Sequence, residues 1–167
     1  MGVKHFFLHR AQKANKRIPG FTPFDKSNSY ALLICGSEES NVAEQIEHLL
    51  RKEGKAVEKI ILHPVKKKKE STENGNHAKV VNIYKDDLNL LKLPKNETPK
   101  EWIKEPFDYL ILCGDEEYKS KESLLALSVS KCKIGKVKSV LSNHFDVLID
   151  GSNNFPQTIL NILKQIR

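Results

Sequence analysis

Short apolar runs alternate with longer amphipathic stretches along the chain. Tyr30 to Cys35 is a continuous apolar run followed by Gly36, which is typical of a strand buried on both faces. A run over residues 108–113 repeats this pattern, and we predict further strands at residues 57–63, 78–84 and 145–150, with a short strand or turn at 133–135. Residues 32–39 and 110–117 also echo each other. Shared strand composition explains the echo, and a duplicated half-domain stays open.

Helical periodicity separates these runs. Apolar residues recur at i, i+4, i+7 and i+8 from Val42 to Leu50, so we predict an amphipathic helix over residues 40–53, with Ser40 as its N-cap and Gly54 at its end. Further helices are predicted over residues 120–130 and 155–166, with single helical turns at 86–91 and 98–103. In the last of these, Trp102 is expected to anchor packing.

Strands that alternate with helices predict an α/β fold. Parallel neighbours need right-handed crossovers, and these place helices on both faces of the sheet. We therefore expect a single Rossmann-like three-layer domain over residues 30–167, with a mostly parallel sheet of about five strands. Residues 1–29 are predicted to form a basic N-terminal arm and linker, with a helix over residues 3–16. A chain of 167 residues suits one such domain.

The composition indicates a folded protein that favours acidic partners. The chain is 39% hydrophobic, carries a net charge of +7 and has a pI of about 9.2. Cys35, Cys113 and Cys132 form no close pair, which argues against a disulfide framework or a CxxC site and favours buried, inert thiols in a reducing, cytoplasmic setting. No apolar stretch approaches the roughly 20 residues of a membrane span, and the N-terminus lacks a signal-peptide pattern.

Acidic residues occupy the ends of the predicted strands, where open α/β sheets bind their ligands. Acids follow Gly36 and Gly114 within three positions, and carboxylates there repel phosphate while engaging the helix N-terminus. Neither GxGxxG nor GxxxxGK[ST] occurs, so we predict no nucleotide cofactor and assign no catalytic residue. Asp115, Glu116 and Asp150 are candidate ligands for a cation such as Mg²⁺, although helix capping and solubility also account for them.

The basic residues point to a different surface. They cluster in the arm and in one polar loop: Lys4, Arg10, Lys13, Lys16, Arg17, Lys66, Lys67, Lys68 and Lys69. Such clusters neutralise phosphates of RNA, DNA or anionic lipid headgroups. Since Phe6 to Leu8 interleaves apolar residues with these cations, an arm lying on a membrane surface is an alternative. A solvated charge run without a partner remains the simplest interpretation.

Two resemblances complete the sequence evidence. Residues 9–17, 24–34, 84–96, 106–111, 127–135 and 145–150 resemble a family of small proteins, mostly from Bacteroidota, that is classed as a domain of unknown function. This resemblance spans nearly the whole chain and implies a bacterial, cytoplasmic setting, but no catalytic residues or ligands. Residues 108–135 locally resemble the strand–helix–KIG unit of heptosyltransferase-type glycosyltransferases, which use two Rossmann-like domains. That likeness implies a relic of the fold rather than an activity.

Three hypotheses follow. The leading one is a non-enzymatic cytoplasmic module that binds RNA or a ribosomal surface through the arm and the lysine loop. The second is a divalent-cation-assisted transferase or hydrolase that uses the carboxylates at the strand ends. The third is peripheral membrane association through the N-terminal helix.

Overall fold

The computed structural model describes residues 17–36, 39–66, 80–90, 92–114, 119–137, 142–150 and 154–166. The strands within these ranges are β1 (Ser29–Cys35), β2 (Ala56–Leu62), β3 (Val80–Ile83), β4 (Tyr109–Leu112), β5 (Cys132–Lys136) and β6 (Val147–Ile149). The α-helices are α1 (Ser40–Lys52), α2 (Glu97–Lys104), α3 (Lys119–Leu127) and α4 (Phe155–Gln165), and 3₁₀ turns span Lys85–Asp87 and Ser142–His144.

These strands form one parallel sheet in the order β3-β2-β1-β4-β5-β6. The α/β, Rossmann-like prediction is confirmed. The expected count of about five strands becomes six because β5, predicted as a short strand or turn, pairs in parallel with both β4 and β6. Lys133 and Gly135 interrupt its apolar pattern, which is why its sequence resembles a turn.

Apolar side chains cover both faces of the sheet. On one face, alternate residues of β1 and β4, such as Leu32 and Ile111, pack against α1 and α4. On the other face, Leu33 and Leu110 pack against α2 and α3. Every residue from Tyr30 to Cys35 is at most 2% exposed. The continuous apolar run of β1 thus results from burial on both faces.

The predicted helices differ from the structure mainly at their ends. Ser40, expected to be the N-cap, is the first residue of α1, and Glu39 holds the cap position without a side-chain capping bond. The turn predicted at 98–103 lengthens into α2, in which Trp102 is 1% exposed, as its role as an anchor requires. The predicted helix over residues 3–16 lies outside the described residues.

The described part of the arm packs along the amino ends of the strands. The Gly20 N–H donates to the Lys131 carbonyl at 3.0 Å, and the Phe24 N–H donates to the Ile166 carbonyl at 3.3 Å. Lys55 Nζ donates to the Phe24 carbonyl at 2.6 Å. The linker is therefore bound at the end of the sheet where β1 begins. No helix in the described ranges has both the length and the apolar character to cross a membrane.

Candidate functional site

The strand order places a crevice between β1 and β4. The chain leaves β1 for α1 on one face of the sheet and leaves β4 for α3 on the other. Such a topological switch point, beyond the carboxyl ends of the strands, is where open α/β sheets bind ligands. The residues that follow Cys35 and Leu112 are therefore the first candidates for a site.

A buried ion pair lies at this switch point. Lys121 Nζ, from the first turn of α3, donates to Glu39 Oε1 at 2.7 Å. The two side chains are only 1% and 5% exposed. Lys121 Nζ also lies 3.4 Å from the Gly114 carbonyl oxygen, and Glu39 Oε2 accepts the Cys35 backbone N–H at 2.7 Å. The ion pair thus connects the end of β1, Gly114 after β4 and the first turn of α3.

Two glycines permit this arrangement. Gly36 directly follows β1 and has a φ of 70°. This left-handed conformation favours glycine and turns the chain toward α1. At Gly114, a β-carbon would overlap the carboxyl group of Glu39. The glycine after β4 therefore admits the Glu39 side chain into the crevice, where it lies against the backbone.

The pair changes what this crevice can bind. The Cys35 N–H lies at the carboxyl end of β1, directly before the turn at which Rossmann-like sheets bind phosphate, and Glu39 accepts its hydrogen bond. An anion that bound the Cys35 N–H would have to displace a carboxylate that is bound to a buried ammonium group. Breaking such a pair by removing one partner costs about 3–5 kcal/mol.

The cysteines at the strand ends are buried, and they lie on different faces of the sheet. Cys35 belongs to the core face formed with α2 and α3, whereas Cys113 belongs to the face formed with α1 and α4. Burial, reinforced by the nearby Glu39 carboxylate, raises the pKa of the Cys113 thiol far above its usual value. Burial and the Asp146 carboxylate raise the pKa of Cys132 to about 12. These environments disfavour thiolates, in agreement with the expectation of inert thiols.

The structure shows little of the proposed cation site. Asp150 is exposed directly after β6, and β5 separates β6 from β4 in the sheet. Asp115 and Glu116, which follow β4, lie outside the described residues. Among the residues that are described, no group of three or more His, Cys, Asp or Glu side chains has the arrangement of a metal centre.

Of the predicted basic residues, the structure describes Arg17 and Lys66. Arg17 is bound to the sheet: its guanidinium donates to the Ser130 carbonyl at 2.7 Å and the Lys131 carbonyl at 2.9 Å, and pairs with the Asp146 carboxylate. Lys66 is exposed beyond the carboxyl end of β2. Arg17 therefore lies at the amino ends of the strands, and Lys66 lies beyond their carboxyl ends. Lys4, Arg10, Lys13, Lys16, Lys67, Lys68 and Lys69 lie outside the described residues.

Two clusters are not predicted from the sequence. Lys121 precedes Leu124 and Leu125 by three and four positions, and this spacing places it on their buried helix face. His63 and Tyr84 were not connected, yet each directly follows one of two neighbouring strands, β2 and β3. Their rings stack with centroids 4.5 Å apart. If β2 and β3 are expected to pair in parallel, their carboxyl ends lie side by side, and this expectation alone would place His63 next to Tyr84.

Comparison with known proteins gives one match. No curated protein and no solved structure matches the chain. The local likeness to glycosyltransferases accordingly gains no support from these comparisons. A family model described as "Family of unknown function (DUF6913)" matches residues 4–166, from the basic arm to the end of α4. The chain therefore belongs to this family of unknown function, DUF6913.

Proposed function

We propose that this protein is a non-enzymatic binding module of the bacterial cytoplasm whose acidic partner is RNA, free or at a ribosomal surface. The contacts are made by the basic arm, through Lys4, Arg10, Lys13 and Lys16, and by the lysine loop, defined as Lys66 to Lys69. The arm up to residue 16 contains four Lys and Arg residues and no acid. Cation clusters of this kind bind polyanions through their phosphates.

The observation that carries the proposal is the Glu39–Lys121 pair. It occupies the switch point at which a Rossmann-like sheet usually binds a phosphate-bearing ligand. Among the described residues of this crevice, the Cys35 N–H is engaged by Glu39, so an anion there would meet a carboxylate. The cationic segments are then the best remaining surface for recognition.

The positions of Arg17 and Lys66 refine the proposal. Because Arg17 is held by Asp146 and two backbone carbonyls, its role is to anchor the arm rather than to contact a phosphate. Lys66, the first residue of the lysine loop, is exposed at the opposite end of the strands from Arg17, and it is a described cation that we expect to contact the partner.

A salt titration tests the function. A fluorescent single-stranded RNA is titrated with the protein at several salt concentrations, since the slope of log K against log salt counts the phosphates neutralised. Replacing Lys66 to Lys69 by Gln should lower the affinity and reduce the slope by up to about 3. The matched control replaces four lysines elsewhere, Lys26, Lys52, Lys100 and Lys104, with the same change in net charge. RNA binding that is absent, or equally weakened by both quadruple variants, contradicts the proposal.

A further inference from the structure

The stacked rings of His63 and Tyr84 form an ordered feature at the carboxyl edge of the sheet. Their centroids are 4.5 Å apart and their planes differ by 13°. Each residue directly follows a strand, and the His63 N–H donates to the Ile83 carbonyl at 2.8 Å. The backbone pairing of β2 and β3 thus continues up to the two rings.

Neighbouring groups hold the imidazole ring of His63 and the backbone of Tyr84. His63 Nε2 lies 2.8 Å from Asn82 Oδ1, and this exposed amide of β3 sets the orientation of the imidazole. The Tyr84 N–H donates to Asp87 Oδ2 at 2.9 Å. The stack is therefore held in place before any ligand arrives, so that little conformational entropy is lost on binding.

The surroundings of the stack contain exposed cations, the exposed Asp86 carboxylate and an exposed apolar side chain. Lys66 and Lys85 are both exposed, and the Lys85 N–H donates to the Val65 carbonyl at 3.1 Å, which holds the two segments together. Val65 itself is 58% exposed beside the rings. The nearby Asp87 carboxylate is engaged, since it accepts hydrogen bonds from the Tyr84 N–H and from Asn96 Nδ2.

We propose that His63 and Tyr84 form a base-stacking platform for single-stranded RNA, flanked by Lys66 and Lys85 as phosphate contacts. This inference rests on the proposed function and names the place where a base is held. Aromatic faces stack on any base, and cations alongside them neutralise the backbone. Bases in a duplex are already stacked on each other, so the platform selects unpaired RNA.

The test separates stacking from charge. Wild-type protein, Tyr84→Leu and Tyr84→Phe are titrated with a labelled oligouridine of about twelve nucleotides and, separately, with inorganic polyphosphate, which has charge but no bases. Because one stacked base contributes about 1–3 kcal/mol, Tyr84→Leu should weaken RNA binding by about 5- to 150-fold. Its polyphosphate affinity should not change, and Tyr84→Phe should retain RNA binding.

Controls distinguish the possible failures. Phe21→Leu removes an exposed aromatic ring at the opposite edge of the sheet and should leave RNA affinity unchanged. Equal oligouridine affinity for wild type and Tyr84→Leu overturns the platform while leaving the proposed function intact. Loss of RNA and polyphosphate binding in parallel also overturns it. Wild type that binds neither polyanion refutes the proposed function itself.

A second measurement does not require a variant at Tyr84. Uridine monophosphate added to the wild-type protein should shift the imidazole proton resonances of His63 upfield, because a stacked base shields them. The resonances of His48, exposed on α1, provide the internal control. Inorganic phosphate producing the same shift at His63 would contradict stacking.

Discussion

Lys121 Nζ lies 2.7 Å from Glu39 Oε1, in a contact that joins residues 82 positions apart across the carboxyl edge of the sheet. Both side chains are almost completely buried. Their charges compensate each other at the point where α/β sheets of this order usually bind a ligand. The pair therefore links the residues that follow β1 and β4 to the first turn of α3.

Removing one partner of this pair should be strongly destabilising. Lys121→Met leaves the Glu39 carboxylate buried without its ammonium partner, and we expect a loss of about 3–5 kcal/mol in the free energy of unfolding. The double variant Glu39→Gln with Lys121→Met should lose much less than the sum of the single losses. Urea denaturation of the four proteins measures this coupling. Additive losses would show that the two groups do not interact.

Gly114 should tolerate no side chain. A β-carbon at this position would overlap the Glu39 carboxyl group, so Gly114→Ala should cost about 1–3 kcal/mol, as overpacked sites do. Gly20→Ala is the matched control, because a β-carbon there meets no atom within 4 Å. Thermal unfolding compares the two variants. A Gly114→Ala protein as stable as Gly20→Ala would place the Glu39 side chain elsewhere.

Arg17 should behave as an anchor of the arm. Arg17→Gln loses the contacts with the Ser130 carbonyl and the Asp146 carboxylate, and the expected cost is about 1–3 kcal/mol of stability. The salt slope of RNA binding should remain near that of wild type, because this guanidinium is already paired. Lys26→Gln, on the same segment, controls for the loss of one positive charge. A lower slope in Arg17→Gln alone would make Arg17 a phosphate contact.

Asp108 should contribute stability that acid removes. Burial alone would raise its pKa, but hydrogen bonds from Lys131 Nζ and from the Asn28 and Ser29 N–H groups hold the pKa of this carboxyl at about 2. A folded-state pKa below the usual 3.8 stabilises the protein above about pH 4, and this contribution is lost as the pH falls toward 2.

In the variant Asp108→Asn, the free energy of unfolding should therefore fall less steeply as the pH is lowered from about 4 toward 2. Allowing for solvent screening, we expect it to cost about 1–2 kcal/mol at pH 6 and almost nothing at pH 2. Unfolding in urea at several pH values measures the difference. The exposed Asp25 on the same segment provides Asp25→Asn as control. A cost for Asp108→Asn that does not change with pH would contradict the role assigned to ionisation.

Lys133 should make stability depend on pH in the alkaline range. Burial, together with the charge of Arg17, lowers the pKa of this amine from 10.5 to about 8. Between these values the unfolded chain binds a proton that the folded chain has lost, so stability rises with pH across this window. Relative to Lys133→Met, the wild type should gain about 1–2 kcal/mol between pH 7.5 and 9.5.

Comparison with the variant isolates this effect, since both proteins share the buried tyrosines and cysteines that titrate nearby. Denaturant unfolding at the two pH values provides the measurement, and Lys26→Met, at an exposed position, should show no such difference. A stability gap between wild type and Lys133→Met that stays constant with pH would mean that the amine remains protonated in the folded protein.

Much of the fold could be predicted from local patterns. The apolar run of β1 and the periodicity of α1 predicted both elements to within one or two residues. The role of Trp102 as a buried packing residue was also expected from its place in a predicted helical turn. β5 was ambiguous because Lys133 is buried in it, and a buried lysine depends on partners such as the Leu125 carbonyl that no local pattern predicts.

The candidate sites were less predictable. Acids at the strand ends were recognised from their positions, but the inward direction of Glu39 depends on Lys121, which belongs to another element. By its sequence position Arg17 is one cation of a basic arm, whereas its bond to Asp146 holds it on the sheet. In each case the partner lies more than 80 positions away along the chain.

The amino-acid sequence by itself determined the alternation of strands and helices, the α/β class and the excess of positive charge, because hydrophobic period and composition are local properties. Only the tertiary structure decided the strand order, and with it the meeting of Glu39 with Lys121 and of His63 with Tyr84. The physical reason is that these contacts depend on which strands become neighbours. That choice is set by the packing of the whole sheet and not by any single segment.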